Sequence, residues 1–251
     1  MKKAYISVCI AALISILLPS VTAAQEEAQE NASNPLAATN NVDFRWQRIS
    51  TDSGTKRDYF VDGAYMIFPT LKLKYELHYN ENDFTGTSQK NLEKLVIKPL
   101  FFFGARKLSD SWAVKYTVGA DWILDLGDTS KAIGIGSDQI APLGGAAFSH
   151  IPSGLVLIPL AQHFVSYNGP TDVDTTSIRL IALKPFGKGY WAKADLKFPY
   201  DWHTNVWSPS AELQVGYNVN QRVAVYAEGL VGLGSYRTYN QGIGFGLRIK
   251  Y

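Results

Sequence analysis

From residue 243 to the end of the chain, IGFGLRIKY, every second residue is apolar: Ile243, Phe245, Leu247, Ile249 and Tyr251 fall on one face, and Gly244, Gly246, Arg248 and Lys250 on the other. A period of two is the mark of a β-strand with one face in an apolar medium. The same pattern is clearest at 71–80, where Leu71, Leu73, Tyr75, Leu77 and Tyr79 alternate with Lys72, Lys74, Glu76, His78 and Asn80. Further segments follow at similar spacing: 43–50, 59–67, 92–103, 112–124, 139–149, 155–167, 176–185, 190–198, 210–217 and 222–230. With the closing strand they make twelve, an all-β chain without a helical period. Two of them lack distinct faces: 139–149 is rich in Gly and Ala, and 155–160 is apolar on both sides.

Magnitude decides which way the strands face. A lysine on the lipid side of a membrane barrel costs ~2–4 kcal/mol near the midplane, so turning 71–80 over would be very unfavourable. Lys72, Lys74 and Glu76 therefore point into a lumen, and the aromatic-rich set points to lipid. The alternative, a water-soluble barrel with its apolar face inside, would have to show the apolar set to a dry core and so many lysines and carboxylates to water. The apolar sets are too long and too aromatic for that, and the predicted fold is a transmembrane, antiparallel, up-and-down β-barrel of about twelve strands.

The connections agree. If the first strand runs outward, loops at 51–58, 81–91, 125–138, 168–175, 199–209 and 231–241 lie outside, and most are long and polar. The turns at 68–70, 150–154, 186–189 and 218–221 lie on the periplasmic side and are short; only 104–111 is longer than the pattern favours. An even strand number returns the C-terminal strand to the periplasm, where the barrel-assembly machinery would engage it.

The N-terminus places this barrel. Lys2 and Lys3 precede an uncharged apolar run from Ala4 to Leu18, then Pro19 and the small-residue site Val21-Thr22-Ala23-Ala24. This pattern predicts a cleaved secretory signal over 1–24, the run being shorter than the ~20 residues a membrane helix needs. The only cysteine, Cys9, lies within that run, so the chain is no lipoprotein, and after cleavage it has neither disulfide nor thiolate chemistry. Residues 25–42 read as a polar, flexible periplasmic leader and 43–251 as the barrel domain, in the outer membrane and in contact with its lipid. Cleavage removes Lys2 and Lys3 and no acid, leaving 22 basic residues against 22 acidic ones. Such a neutral chain gives no reason to expect nucleic acid as a partner.

Candidate chemistry therefore sits in the lumen. The inward sets place Lys72, Lys74, Glu76, Lys98, Lys115, Asp121, Arg179, Lys193, Asp195, Lys197 and Arg248 along a candidate solute path, where cations outnumber acids and anionic or polar solutes would be favoured. Arg45, His78, Lys94, Glu212, Gln214, Arg222, Glu228 and Lys250 share those faces. The same charges could equally fill a narrow barrel as ion pairs, giving a closed structural or adhesive barrel. An outer-membrane enzyme acting on lipid or surface substrates would need a nucleophile beside a rim histidine. His78 and His203 lie near the outer rim, His163 on an indistinct strand and His150 at a periplasmic turn, none with a nucleophile motif. The expectation is no catalytic residue, no metal site and no cofactor: histidines and carboxylates are scattered without ligand spacing, and Asp125, Asp128 and Asp138 do not complete a calcium loop. Trp46, Trp112, Trp122, Trp191, Trp202 and Trp207 read as aromatic girdles.

Several stretches carry a resemblance: Asn34-Pro35-Leu36-Ala37 with Asp43-Phe44-Arg45-Trp46-Gln47, Leu73-Lys74-Tyr75-Glu76-Leu77-His78-Tyr79, Gly136-Ser137-Asp138-Gln139-Ile140-Ala141-Pro142, Ile158-Pro159-Leu160-Ala161-Gln162-His163-Phe164 and Arg179-Leu180-Ile181-Ala182-Leu183. Together they resemble the outer-membrane transporter family labelled for the meta-pathway of phenol degradation, over nearly all of the mature chain. The resemblance implies an outer-membrane barrel for passive uptake of small, hydrophobic or aromatic solutes, with no catalytic residues to carry over.

Overall fold

Alternation along each strand becomes the two surfaces of a closed barrel in the computed structural model, which describes residues 37–251. The proposed signal sequence and most of the leader lie outside the described residues. The strands are β1 (Asn41–Thr51), β2 (Gly54–Phe68), β3 (Leu71–Asn82), β4 (Gln89–Lys107), β5 (Trp112–Asp125), β6 (Asp138–His150), β7 (Leu155–Asn168), β8 (Asp174–Pro185), β9 (Tyr190–Asp201), β10 (Val206–Trp207), β11 (Ser210–Asn218), β12 (Val223–Gly232) and β13 (Gln241–Lys250). Twelve of them form one antiparallel cylinder with β13 paired to β1; β10 is a two-residue strand that pairs with the end of β9 just ahead of β11. Closure removes every free sheet edge, which is what lets strands stand in lipid with their backbone polar groups paired.

The outward set is apolar and uncovered: Phe44, Tyr59, Phe101, Trp122, Ile178, Leu213, Phe245 and their neighbours stay exposed. An apolar band of this extent around a closed barrel is the surface of a membrane protein. At the seam, Asp43 on β1 lies directly opposite Arg248 on β13. The guanidinium is held through Nε to Oδ1 at 2.8 Å and Nη2 to Oδ2 at 2.6 Å, with Tyr226 donating to Oδ2 at 2.9 Å. Asp43 is fully buried, so removing either partner would strand a charge at a cost of about 3–5 kcal/mol.

Most boundaries that move from the sequence reading do so by extension of a strand; Arg222 and Tyr251 fall just outside β12 and β13. The loop expected at 51–58 shrinks to a two-residue turn, Asp52 and Ser53, because Lys56 and Asp58 continue the inward phase of β2. The barrel begins at Asn41 rather than Asp43. The overlong turn at 104–111 shortens to 108–111: β4 continues through a register shift between Phe103 and Arg106, at Gly104 with φ +60°, and reaches Lys107. The ladder also absorbs the first and last residues of the loops expected at 81–91, 125–138 and 231–241. Connections at one end, here the turn end, hold two to four residues; those at the other, the loop end, include the longer segments 126–137, 202–209 and 233–240.

Candidate functional site

Inside the barrel the wall changes character along its length. At the loop end lies a vestibule of about 670 Å³ whose lining includes Lys56, Asp58, Phe60, His78, Lys94 and Lys197. Beneath it is a chamber of about 130 Å³ reached by Lys72, Lys74, Asp62, Leu100, Leu160 and Arg248. Arg45, Glu76, Lys98, Gln162, Arg179 and Lys193 line both and form the neck between them.

Which charges meet the open space follows from how they are paired. Asp195 is fully buried and holds Arg179 by a two-point contact, Nε to Oδ1 at 2.8 Å with Nη2 on Oδ2. Glu212 is shared by Lys193 at 3.6 Å and Lys197 at 3.4 Å, and Asp121 takes Lys98 at 2.9 Å. Arg45 reaches Glu228 at 2.8 Å, and Gln214 donates to both Glu212 and Glu228. In these pairs the carboxylate sits against the wall and the longer cation covers it. Side-chain exposure is 0 % for Asp195 and 30 % for Arg179, 7 % for Glu212 and 34 % for Lys197. Lys74 and Lys94 line the cavity without an ion-pair partner among the described residues, so the surface offered to a solute is cationic.

Toward the turn end the same strands present an apolar wall, with Leu100 following Lys98 on β4 and Ile181 following Arg179 on β8. Leu100, Phe102, Ala147, Ile158 and Ile181 pack inside the barrel toward its turn end, with Met66, Leu143, Val156 and Leu160 against them. Leu183, Trp191 and Tyr226 continue this floor. Trp191 is therefore not part of a girdle; it is only 1 % exposed and points inward, a correction to the sequence reading. Its ring lies over Gly216 on the paired strand β11, where an added Cβ would sit 2.1 Å from it. Tyr226 covers Gly246 on β13 in the same way. These two glycines leave room for a large ring in a narrow barrel.

All eleven residues expected on the solute path belong to inward sets, but they occupy different places. Lys72, Lys74 and Arg248 reach the inner chamber, Glu76, Lys98, Arg179 and Lys193 the neck, and Asp121 and Lys197 the vestibule. Asp195 lies behind Arg179, and Lys115 rests its ammonium 4.4 Å from the centre of the Phe102 ring. Lys72 is only 1 % exposed and donates to the carbonyl of Ala37 at 2.7 Å, so the chain just before β1 covers it. Sequence reasoning missed Asp58, Asp62 and Glu93. The first two share the phase of Phe60; Asp58 falls in the stretch read as a loop, and Asp62 lies opposite the apolar set of 59–67 without being singled out. Glu93 faces inward only because β4 slips by one residue between its pairings with His78 and Tyr79, a bulge that alternation does not reveal.

The remaining sequence candidates resolve individually. Asp125 accepts from the backbone of Gly127, Ile135 and Gly136, and Asp138 from that of Asp125, so these acids shape the 126–137 loop. In that loop Asp128 accepts from the side chain and backbone of Ser130, and these hydrogen bonds hold its carboxyl below the ordinary range. His150 meets Ser153 at 2.7 Å at the turn end, and His203 lies 3.5 Å from Asp172. His163 meets Thr176 Oγ1 at 2.9 Å on the outward face, with Asp174 3.6 Å from its other nitrogen. Trp202 also donates to that hydroxyl at 2.9 Å.

No protein-family model matches the chain, and no curated protein matches it in sequence. Solved structures share the fold. An outer membrane channel from Pseudomonas putida F1 superposes with a TM-score of 0.63 at 8 % identity, over 91 % of this chain and 100 % of that one. The KdgM porin gives 0.55 at 8 % identity, over 84 % and 99 %. An active-site mutant of outer membrane phospholipase A from Escherichia coli gives 0.50 at 13 % identity, over 88 % and 95 %. Channels and an enzyme thus share this barrel, and only the site can choose between their functions.

Proposed function

We propose that this barrel is an outer-membrane channel for passive uptake of small organic anions, entering at the loop end and leaving at the turn end toward the periplasm. The observation that carries the reading is the divided wall. Lys74, Lys98, Arg179 and Lys193 supply an electrostatic surface, and Leu100, Leu143, Leu160 and Ile181 supply an apolar one directly beside it, with Leu160 paired to Arg179 and Leu100 two positions below Lys98. A solute with a carboxylate and a hydrocarbon or aromatic body would meet both surfaces, the carboxylate nearer the loop end and the body nearer the turn end. This agrees with the resemblance to transporters labelled for phenol degradation. It also parallels a KdgM porin known in complex with disordered oligogalacturonate, which has the same fold. The mature chain would start after a cleaved signal, with Lys72, Lys74, Glu76, Lys98, Lys115, Asp121, Arg179, Lys193, Asp195, Lys197 and Arg248 setting selectivity by contact or by pairing, and β13 as the assembly signal.

Uptake of radiolabelled benzoate and of uncharged benzyl alcohol into proteoliposomes tests the reading. Faster entry of the anion, lost when Lys98, Arg179 and Lys193 are replaced by Gln, is the expected result. Equal rates for both solutes would defeat it.

A second reading, a lipid-acting hydrolase, rests on the outward contact of His163 with Thr176. There the hydroxyl already accepts from Trp202, and a nucleophile held this way has no described oxyanion donors beside it. Release of fatty acid from phospholipid vesicles that is abolished by Thr176→Val would favour this reading over the channel.

A further inference from the structure

At the rim of the vestibule, three neighbouring strands bring polar groups together that the channel reading does not use. Asp58 on β2 is paired directly with Asn80 on β3, and the bulge in β4 turns Glu93 inward beside them. His78, one inward position below Asn80, is stacked on Phe60 with ring centres 4.5 Å apart. Asp58, His78 and Glu93 each offer a ligand atom, and all three atoms lie within 4.8 Å of one another.

All four side chains are more than nine-tenths buried, and each leaves one atom without a hydrogen-bond partner: Asp58 Oδ1, His78 Nε2, Asn80 Oδ1 and Glu93 Oε2. Buried polar groups are ordinarily satisfied, and three unsatisfied acceptor oxygens converging from Asp58, Asn80 and Glu93 point to a missing cation. The partners that are present do not complete the set. Lys56 reaches Glu93 Oε1 at 2.6 Å and Asn80 donates to the same oxygen at 3.3 Å, while His78 Nδ1 meets Asp58 Oδ2 at 2.9 Å.

We propose that Asp58, His78 and Glu93, with the carboxamide oxygen of Asn80, form a divalent metal site of the zinc class that ties β2, β3 and β4 together beneath the loop end. One imidazole nitrogen with carboxylate and carbonyl oxygens suits borderline ions such as Zn²⁺, Co²⁺ or Ni²⁺, whereas calcium and magnesium sites are built from oxygen alone. Binding replaces the hydrogen bond between His78 Nδ1 and Asp58 by a bond from each to the same ion. The ring proton then resides on Nε2, which faces Glu76 Oε2 at 3.6 Å, the carboxylate that would orient a ligating histidine. The site opens to the vestibule through Asp58 and His78, so an ion can enter from the loop end. The proposal stands whether or not solutes pass through the barrel.

The test is calorimetric titration of ZnCl₂ into the tag-free, folded mature barrel in detergent, with visible absorption of the Co²⁺ form as a second readout. The expected result is one ion per chain and Co²⁺ bands of a low-coordinate N/O site, with affinity lowered at least about 100-fold in His78→Gln and in Glu93→Gln and unchanged in His203→Gln. Heat-modifiable gel migration establishes that each variant is folded, and Glu93→Gln carries the test if His78→Gln is not. Absence of binding to the folded wild type, or affinity unchanged in a folded His78 or Glu93 variant, would overturn the assignment.

Discussion

The two ends of this barrel are built from the same strands and teach opposite lessons about what an inward position can hold. Along β4 the inward residues run Lys94, Val96, Lys98, Leu100 and Phe102 from the loop end to the turn end; along β9 they run Lys197, Asp195, Lys193 and Trp191. At the loop end charges are tolerable because water reaches them and Asp121 and Glu212 each have a lysine to cover them. Toward the turn end apolar side chains pack below the inner chamber as they would in a soluble core. The vestibule collects, and the floor closes. On the proposed channel reading, passage of a solute would depend on displacing the floor.

That contrast can be broken at the floor with the largest effect. Replacing Trp191 and Phe102 together by Ala removes two rings that are 1 % and 2 % exposed, and each should cost about 3–5 kcal/mol in stability while widening the path. The expected outcome is a lower unfolding temperature together with a severalfold larger conductance, measured on the same preparation. Asp43→Asn attacks the seam that frames the floor. It leaves Arg248 buried without its charge partner and should cost about 3–5 kcal/mol in a urea titration, with Asp43→Asn/Arg248→Met recovering a large part of the loss.

Smaller changes sharpen the comparison. Gly216→Ala adds a Cβ against the Trp191 ring and should cost about 1–3 kcal/mol by overpacking, whereas Gly229→Ala, where an added Cβ meets nothing, should be close to neutral. In the vestibule and neck, Lys98→Gln with Lys193→Gln should shift the reversal potential toward cations in a salt gradient. Smallest of all is the effect of acid on the 126–137 loop. The Asp128 carboxyl titrates below its usual 3.8 because Ser130 donates to the ionised form. The order it gives to residues 128–131 is therefore present above pH 3.8 and is lost as pH falls through the lowered value. Protection of the Ser130 backbone amide, relative to an unstructured peptide at the same pH, should be present at pH 5 and lost below that lowered value.

How much of this was legible in the sequence follows the same division. Wherever one face was lysine and carboxylate and the other aromatic, as at Leu71 to Asn80, alternation revealed strand, register and inward residues together, because burying a lysine in lipid is so costly. The floor was opaque for the converse reason. Val156, Ile158 and Leu160 are apolar and inward while Leu157 and Pro159 are apolar and outward, so the period of two carries no contrast when both media are dry. Trp191 was misplaced because a tryptophan near a strand end suits a girdle; only the glycine opposite, Gly216, signals an inward ring, and that pairing is a tertiary fact. The Asp58, His78 and Glu93 cluster was hidden still further. Its members are 20 and 15 residues apart along the chain, and one of them is turned inward by a bulge.

Single-channel recording in a planar bilayer, under a salt gradient, tests the central claim most directly when the wild type is compared with the Trp191→Ala/Phe102→Ala variant. A cationic vestibule above a closing floor predicts small, infrequent steps in the wild type, much larger steps in the variant, and an anion-selective reversal potential in both. Equal conductance in the two proteins would show that the floor is not the restriction, and a cation-selective reversal potential would contradict the reading of the wall.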